Sequence, residues 1–579
     1  MGELLSAKRS RSAPCRILDI DCHNIESTYT FARPNLARGN EVAEMLSRLI
    51  GMAMGVMAIA ATGPCSAQTL SESTTPEVTV ESGVLDGTQF GESPNQAAFL
   101  GVPYAAPPVG RLRWKPPLPA TKWHGTRSAV KFGPACPQLP AGWLPYPNWS
   151  EDCLFLNVWS SNIGAKPGLP VLVFFHGGSN RAGYSQLNRL GPALSPLGVV
   201  VVSANYRLGP LGFLAHPALT AESPHHSSGN YGLLDQIQAM KWVRQNIAQF
   251  GGDPGRVTVM GQSAGAVDVC LLMASPLANG LFQQAILESG DCQGTLNKEI
   301  GTPIFSNGIS GTGESAGERL AKDLGVLHGP RTLQKLRSLS VDAILKVWSG
   351  DRGIQFDAIV DGWVVPEQPA KIFAEGRQAR IPVLVGSNAD EATVFGPGPT
   401  TVSQYRKYLQ ADSGPFADQE FHAWPAASDA DVPMQYLKLQ SDSFAYGARS
   451  MAISMTRARA PAYLYLFTWK ESGERAALGA YHGEELAFLD NSFPSNWGAS
   501  KDDEAFGTIV RRYWAQFAKS GDPNARGLPD WPSYDLKLDH VLHLGQSIQL
   551  NPADSKFAVM EDINAHMVRQ RFDAGARAD

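Results

Sequence analysis

Four short apolar, largely β-branched runs constrain this chain more than any other feature: residues 170–175, 199–204, 257–260 and 381–385. A strand without polar alternation must be buried on both faces, as in a parallel sheet covered by helices on either side. Between the second and third runs, Leu233, Ile237, Met240, Val243, Ile247 and Phe250 recur at spacings of three and four. That pattern is one face of an amphipathic helix lying on the sheet. Alternating strands and helices predict an α/β fold with a mostly parallel central sheet. Val78, Thr79 and Val80, followed by Gly83, Val84 and Leu85, read as an antiparallel edge. Residues 293–380 and 400–457 read as helical, loop-rich insertions able to form a lid over a pocket. No long flexible linker interrupts residues 68–579, so they are expected to form one compact catalytic domain.

Composition narrows the function classes. Hydrophobic residues make up 43% and charged residues 18%, which suits a packed core and argues against disorder. A net charge of −5 gives no general attraction to phosphate backbones, so nucleic acid is not an expected partner. Residues 45–67 place Arg48 before a fifteen-residue apolar-to-small run (49–63) and small residues up to Ala67. This is the layout of a secretory signal cleaved near Ala67, and the run is shorter than the roughly 20 residues a membrane span needs. Residues 1–44 show no helical or strand period and read as an upstream extension. The chain is therefore expected to be periplasmic or secreted. Beyond the signal, four cysteines remain: Cys136, Cys153, Cys270 and Cys292. Four allow three pairings. Cys136 and Cys153 bracket a loop rich in Pro and Trp and form the favoured pair. Cys270 reads equally well as a buried, inert thiol on a helix.

A Gly-x-Ser-x-Gly pattern can hold a serine on a sharp strand-to-helix turn with its hydroxyl exposed. With 57 glycines in the chain the pattern alone is weak, and it occurs twice. The copy from Gly261 to Gly265 follows an apolar strand and leads into Ala264-Gly265-Ala266-Val267, which can start a helix. The copy from Gly313 to Gly317 follows a glycine-rich loop, so Ser315 reads as a residue near the start of a helix running through Leu320 and Leu324. Ser263 is thus the candidate nucleophile. A serine hydroxyl needs an adjacent base, and in this strand–turn–helix setting acid and histidine follow the serine in the chain. The histidines available are His422, His482, His540, His543 and His566; His482 lies in a turn flanked by small residues, whereas His540 and His543 lie in an edge-like strand. Asp390 and Glu391, just past the fourth apolar run, both qualify as the acid. Phe175-His176-Gly177-Gly178-Ser179-Asn180 follows the first run, and its glycines allow the backbone to approach a substrate. Backbone N–H groups there, with that of Ala264, suit an oxyanion hole, where each donor is worth about 2.7–4 kcal/mol. His225 and His226 form no metal-ligand pattern, and no metal or organic cofactor is expected.

Several longer segments carry a resemblance. They are Phe99-Leu100-Gly101-Val102-Pro103-Tyr104-Ala105 with Gly110-Arg111-Leu112-Arg113-Trp114; Ser150-Glu151-Asp152-Cys153-Leu154; Asn205-Tyr206-Arg207-Leu208-Gly209; and Gly229-Asn230-Tyr231-Gly232 through Asp235-Gln236. Near the end come Ser520-Gly521-Asp522-Pro523-Asn524 and Trp531-Pro532-Ser533-Tyr534. From about residue 76 to 545 the chain resembles the type-B carboxylesterases, the group that includes bacterial para-nitrobenzyl esterases and the cholinesterases. The resemblance implies an α/β-hydrolase fold, Ser263 as nucleophile, His482 as base and Glu391, in Asn-x-Asp-Glu, as acid. It also implies oxyanion donors at Gly178, Ser179 and Ala264, a Cys136–Cys153 bridge and an Arg113–Glu151 ion pair. Two positions depart from it: Ser179 replaces a third glycine, and Gln262 replaces a glutamate before the nucleophile. Loss of that carboxylate points away from cationic esters and toward small or medium neutral ones. Trp143 or Trp149 could line the pocket or simply pack the loop. The expected chemistry is ester hydrolysis through an acyl-enzyme. The rivals are a non-catalytic binding protein on the same fold and amide or thioester hydrolysis by the same residues.

Overall fold

The apolar runs become the middle of one large sheet. The computed structural model describes residues 75–575, apart from 94, 143, 146, 165, 188, 294–312, 351–355, 472–474 and 494–498. Residues 1–44, expected to be an extension, residues 45–67, expected to be a signal, and Trp143 lie outside the described residues. In chain order the strands are β1 (Glu77–Val80), β2 (Gly83–Asp86), β3 (Thr88–Gln89), β4 (Ala97–Pro103), β5 (Thr126–Ser128), β6 (Phe155–Ser160) and β7 (Leu169–Phe175). They continue as β8 (Val200–Ala204), β9 (Gly252–Gln262), β10 (Gln284–Glu288), β11 (Val383–Asn388), β12 (Ala462–Phe467), β13 (His540–Leu544) and β14 (Gln549–Pro552).

Among the described residues eleven strands form the main sheet in the order β14-β13-β12-β11-β10-β9-β7-β8-β6-β4-β3. Pairing is parallel from β13 across to β8 and antiparallel at both flanks. Side chains alternate between two cores: Val171, Val173 and Phe175 of β7 point into one, Leu172 and Phe174 into the other. Each is at most 1% exposed, and burying such a side chain is worth roughly 1.5–3 kcal/mol. The six periodic apolar residues are all buried. The α-helix Tyr231–Asn246 carries the first four, and its last turn tightens into a 3-10 segment, Ile247–Phe250, that carries the other two.

Three expectations are corrected. β1 and β2 do pair antiparallel, but with β5 they form a separate three-stranded sheet rather than an edge of the main one. β13 is not an edge strand, because β14 turns back to cover it, leaving His540 and His543 partly buried. Residues 400–457 are not a lid throughout: helix Val432–Arg457 packs on β11 and β12 and buries Met451, Ala452 and Met455 against them.

Because β7, β9, β10 and β11 run parallel, their carboxyl ends lie at one end of the sheet, with Phe175 opposite Gly261, Gln262 opposite Glu288 and Glu288 opposite Gly386. Open α/β sheets form their sites at that end, since the connecting loops gather there.

Candidate active site

β9 ends at Gln262, helix Ala264–Ala274 begins one residue later, and Ser263 makes the turn with φ 55° and ψ −126°. A non-glycine residue held in such a conformation costs on the order of 1–3 kcal/mol and persists only where its surroundings over-determine it. Here the Ser263 N–H donates to Glu288 O at 2.8 Å, and the Val267 N–H donates to Ser263 O at 3.0 Å. The flanking glycines are steric requirements: a Cβ on Gly261 would lie 2.2 Å from Gly265 O, and one on Gly265 would lie 2.2 Å from Phe175 O.

The loop after β7 packs against this turn, since a Cβ on Gly177 would sit 2.9 Å from that of Ser263. Gly178, Ser179 and Asn180 follow with φ of 107°, 55° and 53°. Side-chain and backbone hydrogen bonds hold this left-handed run in place. Asn180 Nδ2 donates to Asp268 Oδ1 at 3.1 Å, Gly209 N donates to Asn180 O at 2.7 Å, and the Tyr206 hydroxyl donates to His176 O at 2.7 Å. Burial pushes the Asp268 carboxyl up to about 7 against the bonds it accepts from Gln236 and Asn180. The His176 ring stacks on Tyr206 at 4.6 Å, and burial lowers it to about 4, so it is neutral and structural. Ser179, Ser263 and Ala264 line one cavity of about 470 Å³, with Gly178 one residue before.

Glu391 and His482, 91 residues apart, meet directly. Glu391 is fully buried at the start of a 3-10 turn after β11, and its Oε2 lies 2.5 Å from His482 Nδ1. Its Oε1 accepts from Asn388 N at 2.7 Å. Asp390, the other candidate acid, accepts from Ala480 N at 3.0 Å, so it braces the histidine loop instead of pairing with the imidazole. Burial pulls the His482 pKa down, but the charge and hydrogen bond of Glu391 and the charge of Glu485 outweigh it and leave the imidazole above its ordinary value. The ring lies 4.8 Å from Phe395 and 5.4 Å from Phe444.

Sequence reasoning missed the partner on the other side of the ring. The Gln262 amide nitrogen lies 3.3 Å from His482 Nε2, and an amide nitrogen can only donate, so Nε2 accepts and Nδ1 keeps its hydrogen toward Glu391. Among the described residues the Ser263 hydroxyl has no hydrogen-bond partner. Two buried acids behind Glu391 were also missed. Burial raises Glu485 to about 7, with the charge of Glu391 adding to the shift, and Asn388 Nδ2 donates to it. Burial likewise holds Glu288 well above the carboxylate range, while Trp514 Nε1 donates to it at 2.7 Å. Glu485 lies three residues past His482, at the start of the helix Glu484–Asp490, and that nearness in sequence was the available signal.

The rival residues are engaged elsewhere. Ser315 is exposed within helix Gly313–Asp323. His422 Nδ1 contacts Asp418 O at 2.6 Å, and His566 meets the Phe416 ring at 5.1 Å. His225 stacks on Trp363 at 3.8 Å, and among the described residues no group of three or more His, Cys, Asp or Glu could hold a metal ion. Trp149 is partly buried against the core. Arg113 grips Glu151 through two nitrogens, the second at 2.7 Å. Cys136 and Cys153 are bridged, and Cys270, read as equally able to be an inert thiol, is bonded to Cys292. That bridge ties the helix after Ser263 to the loop after β10, a long-range closure that no local spacing announces.

A mostly parallel sheet carrying a strained serine turn at its carboxyl end defines an α/β-hydrolase. The chain belongs to the carboxylesterase family, whose model matches residues 74–561, and it is a serine ester hydrolase acting on carboxylic esters. It is similar to a fumonisin B1 esterase of Sphingopyxis macrogoltabida, 38% identical over 473 residues covering 79% of this chain and 84% of the relative. It is also similar to a para-nitrobenzyl esterase of Bacillus subtilis, 32% identical over 477 residues, 78% and 92% of the two chains. Among solved structures, a PNB esterase superposes with a TM-score of 0.71 at 30% identity, covering 84% of this chain and 99% of the other. No helix of the described residues is long and apolar enough to cross a membrane.

Proposed function

We propose that Ser263, His482 and Glu391 are the catalytic triad, with the backbone N–H groups of Gly178, Ser179 and Ala264 as the oxyanion hole. The observation that carries this reading is the 2.5 Å Glu391–His482 contact beside a serine strained to φ 55° at the cavity wall. His482 Nε2 leaves the Gln262 amide and accepts the Ser263 proton as Oγ attacks the ester carbonyl. Such contacts commonly tighten only when substrate is present. The oxyanion of the tetrahedral intermediate rests on the backbone donors. His482 then returns its proton to the departing alcohol, leaving an acyl-enzyme. Water repeats the cycle, giving its proton to His482, and the acid is released with Ser263 reprotonated. Glu391 orients the ring and stabilises its charged form.

His482→Ala and Glu391→Gln should each lower kcat for short-chain p-nitrophenyl esters by about 10⁴-fold or more while leaving the circular dichroism spectrum intact. Wild-type rates in His482→Ala would remove the reading. The domain layout and export are proposed with it: residues 45–67 act as a cleaved signal, and the catalytic domain 68–579 works in the periplasm or outside the cell. Two disulfides favour an oxidising compartment. N-terminal sequencing of secreted protein should find a start near Gln68; a start well upstream contradicts it.

A further inference from the structure

Two ionisable side chains on the cavity wall, Arg181 and Asp357, make no hydrogen bond or ion pair within 4 Å with another described residue. Their settings differ. Arg181 follows Ser179 by two residues, and its N–H closes the loop onto Gly178 O at 2.9 Å. Its guanidinium lies 5.9 Å from the centroid of the Trp348 ring. Trp348 comes from the insertion helix Val341–Gly350, is 4% exposed, and packs so tightly on Gly209 that a Cβ there would strike the ring at 2.5 Å. A fixed aromatic platform thus orients the guanidinium while its N–H donors find no acceptor among the described residues. A planar fork of donors matches a carboxylate through two parallel bonds, and charged pairs of that kind are the stronger hydrogen bonds of proteins.

Two acids share this wall with Arg181, Asp291 and Asp357. Asp291 accepts from Gln293 N at 2.8 Å and is packed against Gly447. Asp357 is 8% exposed, and burial raises its carboxyl to about 6 against the charge of Arg181, so above that pH it offsets part of the guanidinium charge without making a direct ion pair. Beside His482, the group that hands a proton to the departing alcohol, the site is apolar, because Phe395 and Phe444 lie against the imidazole. The alcohol therefore leaves along an aromatic wall, and the charged wall remains for the acyl chain.

We infer that Arg181 determines specificity in this cavity, and that the preferred substrate is an ester with an apolar alcohol and an acyl chain ending in a free carboxylate. The inference rests on the triad proposed above. The test compares monobenzyl esters of four- to eight-carbon dicarboxylic acids with benzyl esters of the monocarboxylic acids of equal length, plus benzyl 6-aminohexanoate. In the wild type the best anionic ester should exceed its neutral counterpart in kcat/KM by about 10-fold or more. Arg181→Met and Arg181→Gln should each erase that ratio, Arg181→Lys should restore part of it, and Asp357→Asn should raise it. Equal or better use of neutral esters at every length, or an unchanged ratio in both Arg181 variants, overturns the inference. Preference for the amino ester overturns it in favour of the acids. Turnover of neutral esters with no charge preference refutes this inference alone; failure to hydrolyse any ester refutes the triad and this inference together.

Discussion

The chain contains the same five-residue pattern twice, and the two copies fold into different objects. From Gly261 to Gly265 the pattern joins a buried strand to a helix, with Ser263 at φ 55° and no room for a Cβ on either glycine, since each would lie 2.2 Å from a backbone oxygen. From Gly313 to Gly317 it is the opening of helix Gly313–Asp323, with Ser315 exposed. Glycine still matters in the second copy, but for packing: a Cβ on Gly317 would meet Ala215 O at 1.8 Å, whereas one on Gly313 would meet side-chain atoms of Ile359 at 3.3 Å and of Ala215 at 3.5 Å. A pattern of residues acquires chemistry from the strand before it, which fixes where the turn falls.

The largest effect should separate the two serines. Ser263→Ala should lower ester hydrolysis by about 10⁶-fold, the scale seen when a triad serine is removed, whereas Ser315→Ala should leave kcat unchanged. Equal losses from both would erase the distinction. Next come the glycines. Gly265→Ala should cost on the order of 3 kcal/mol, because its new Cβ meets fixed backbone, and should lower the melting temperature visibly. Gly313→Ala should stay within about 1 kcal/mol of wild type, since a flexible side chain yields and alanine favours the helix. The smallest effect is in pH. In the proposed role of base His482 must be neutral, and its pKa is raised above the ordinary 6.5. Log kcat/KM should therefore fall as pH drops through an acid limb centred above 6.5. Glu485→Gln, by removing one of the charges that raise it, should move that limb to lower pH.

Local pattern made much of this molecule readable before any coordinates. The strand cores, the helix face from Leu233 to Phe250 and the turn at Ser263 follow from two periodicities and the sterics of glycine. His482 and Glu391 needed more. Spacing left Asp390 open beside Glu391, and only the resemblance favoured Glu391, which the structure pairs with the imidazole while Asp390 holds Ala480 N. What stayed hidden depends on residues distant in sequence. Gln262 meets His482 across 220 positions, Glu288 meets Trp514 across 226, and Cys270 closes onto Cys292. Strand neighbours such as β13 and β14 are chosen by chain reversal, which hydrophobic alternation does not encode. Helix Val432–Arg457 carries apolar residues that equally suit a lid or a sheet cover, and only packing decides.

The proposed chemistry requires Ser263 to be the activated hydroxyl. Labelling with a fluorophosphonate, then mapping the modified peptide by mass spectrometry, tests it most directly. The adduct should sit on Ser263 in the wild type and vanish in His482→Ala. An adduct on Ser315, or none on an enzyme that still hydrolyses esters, would contradict it.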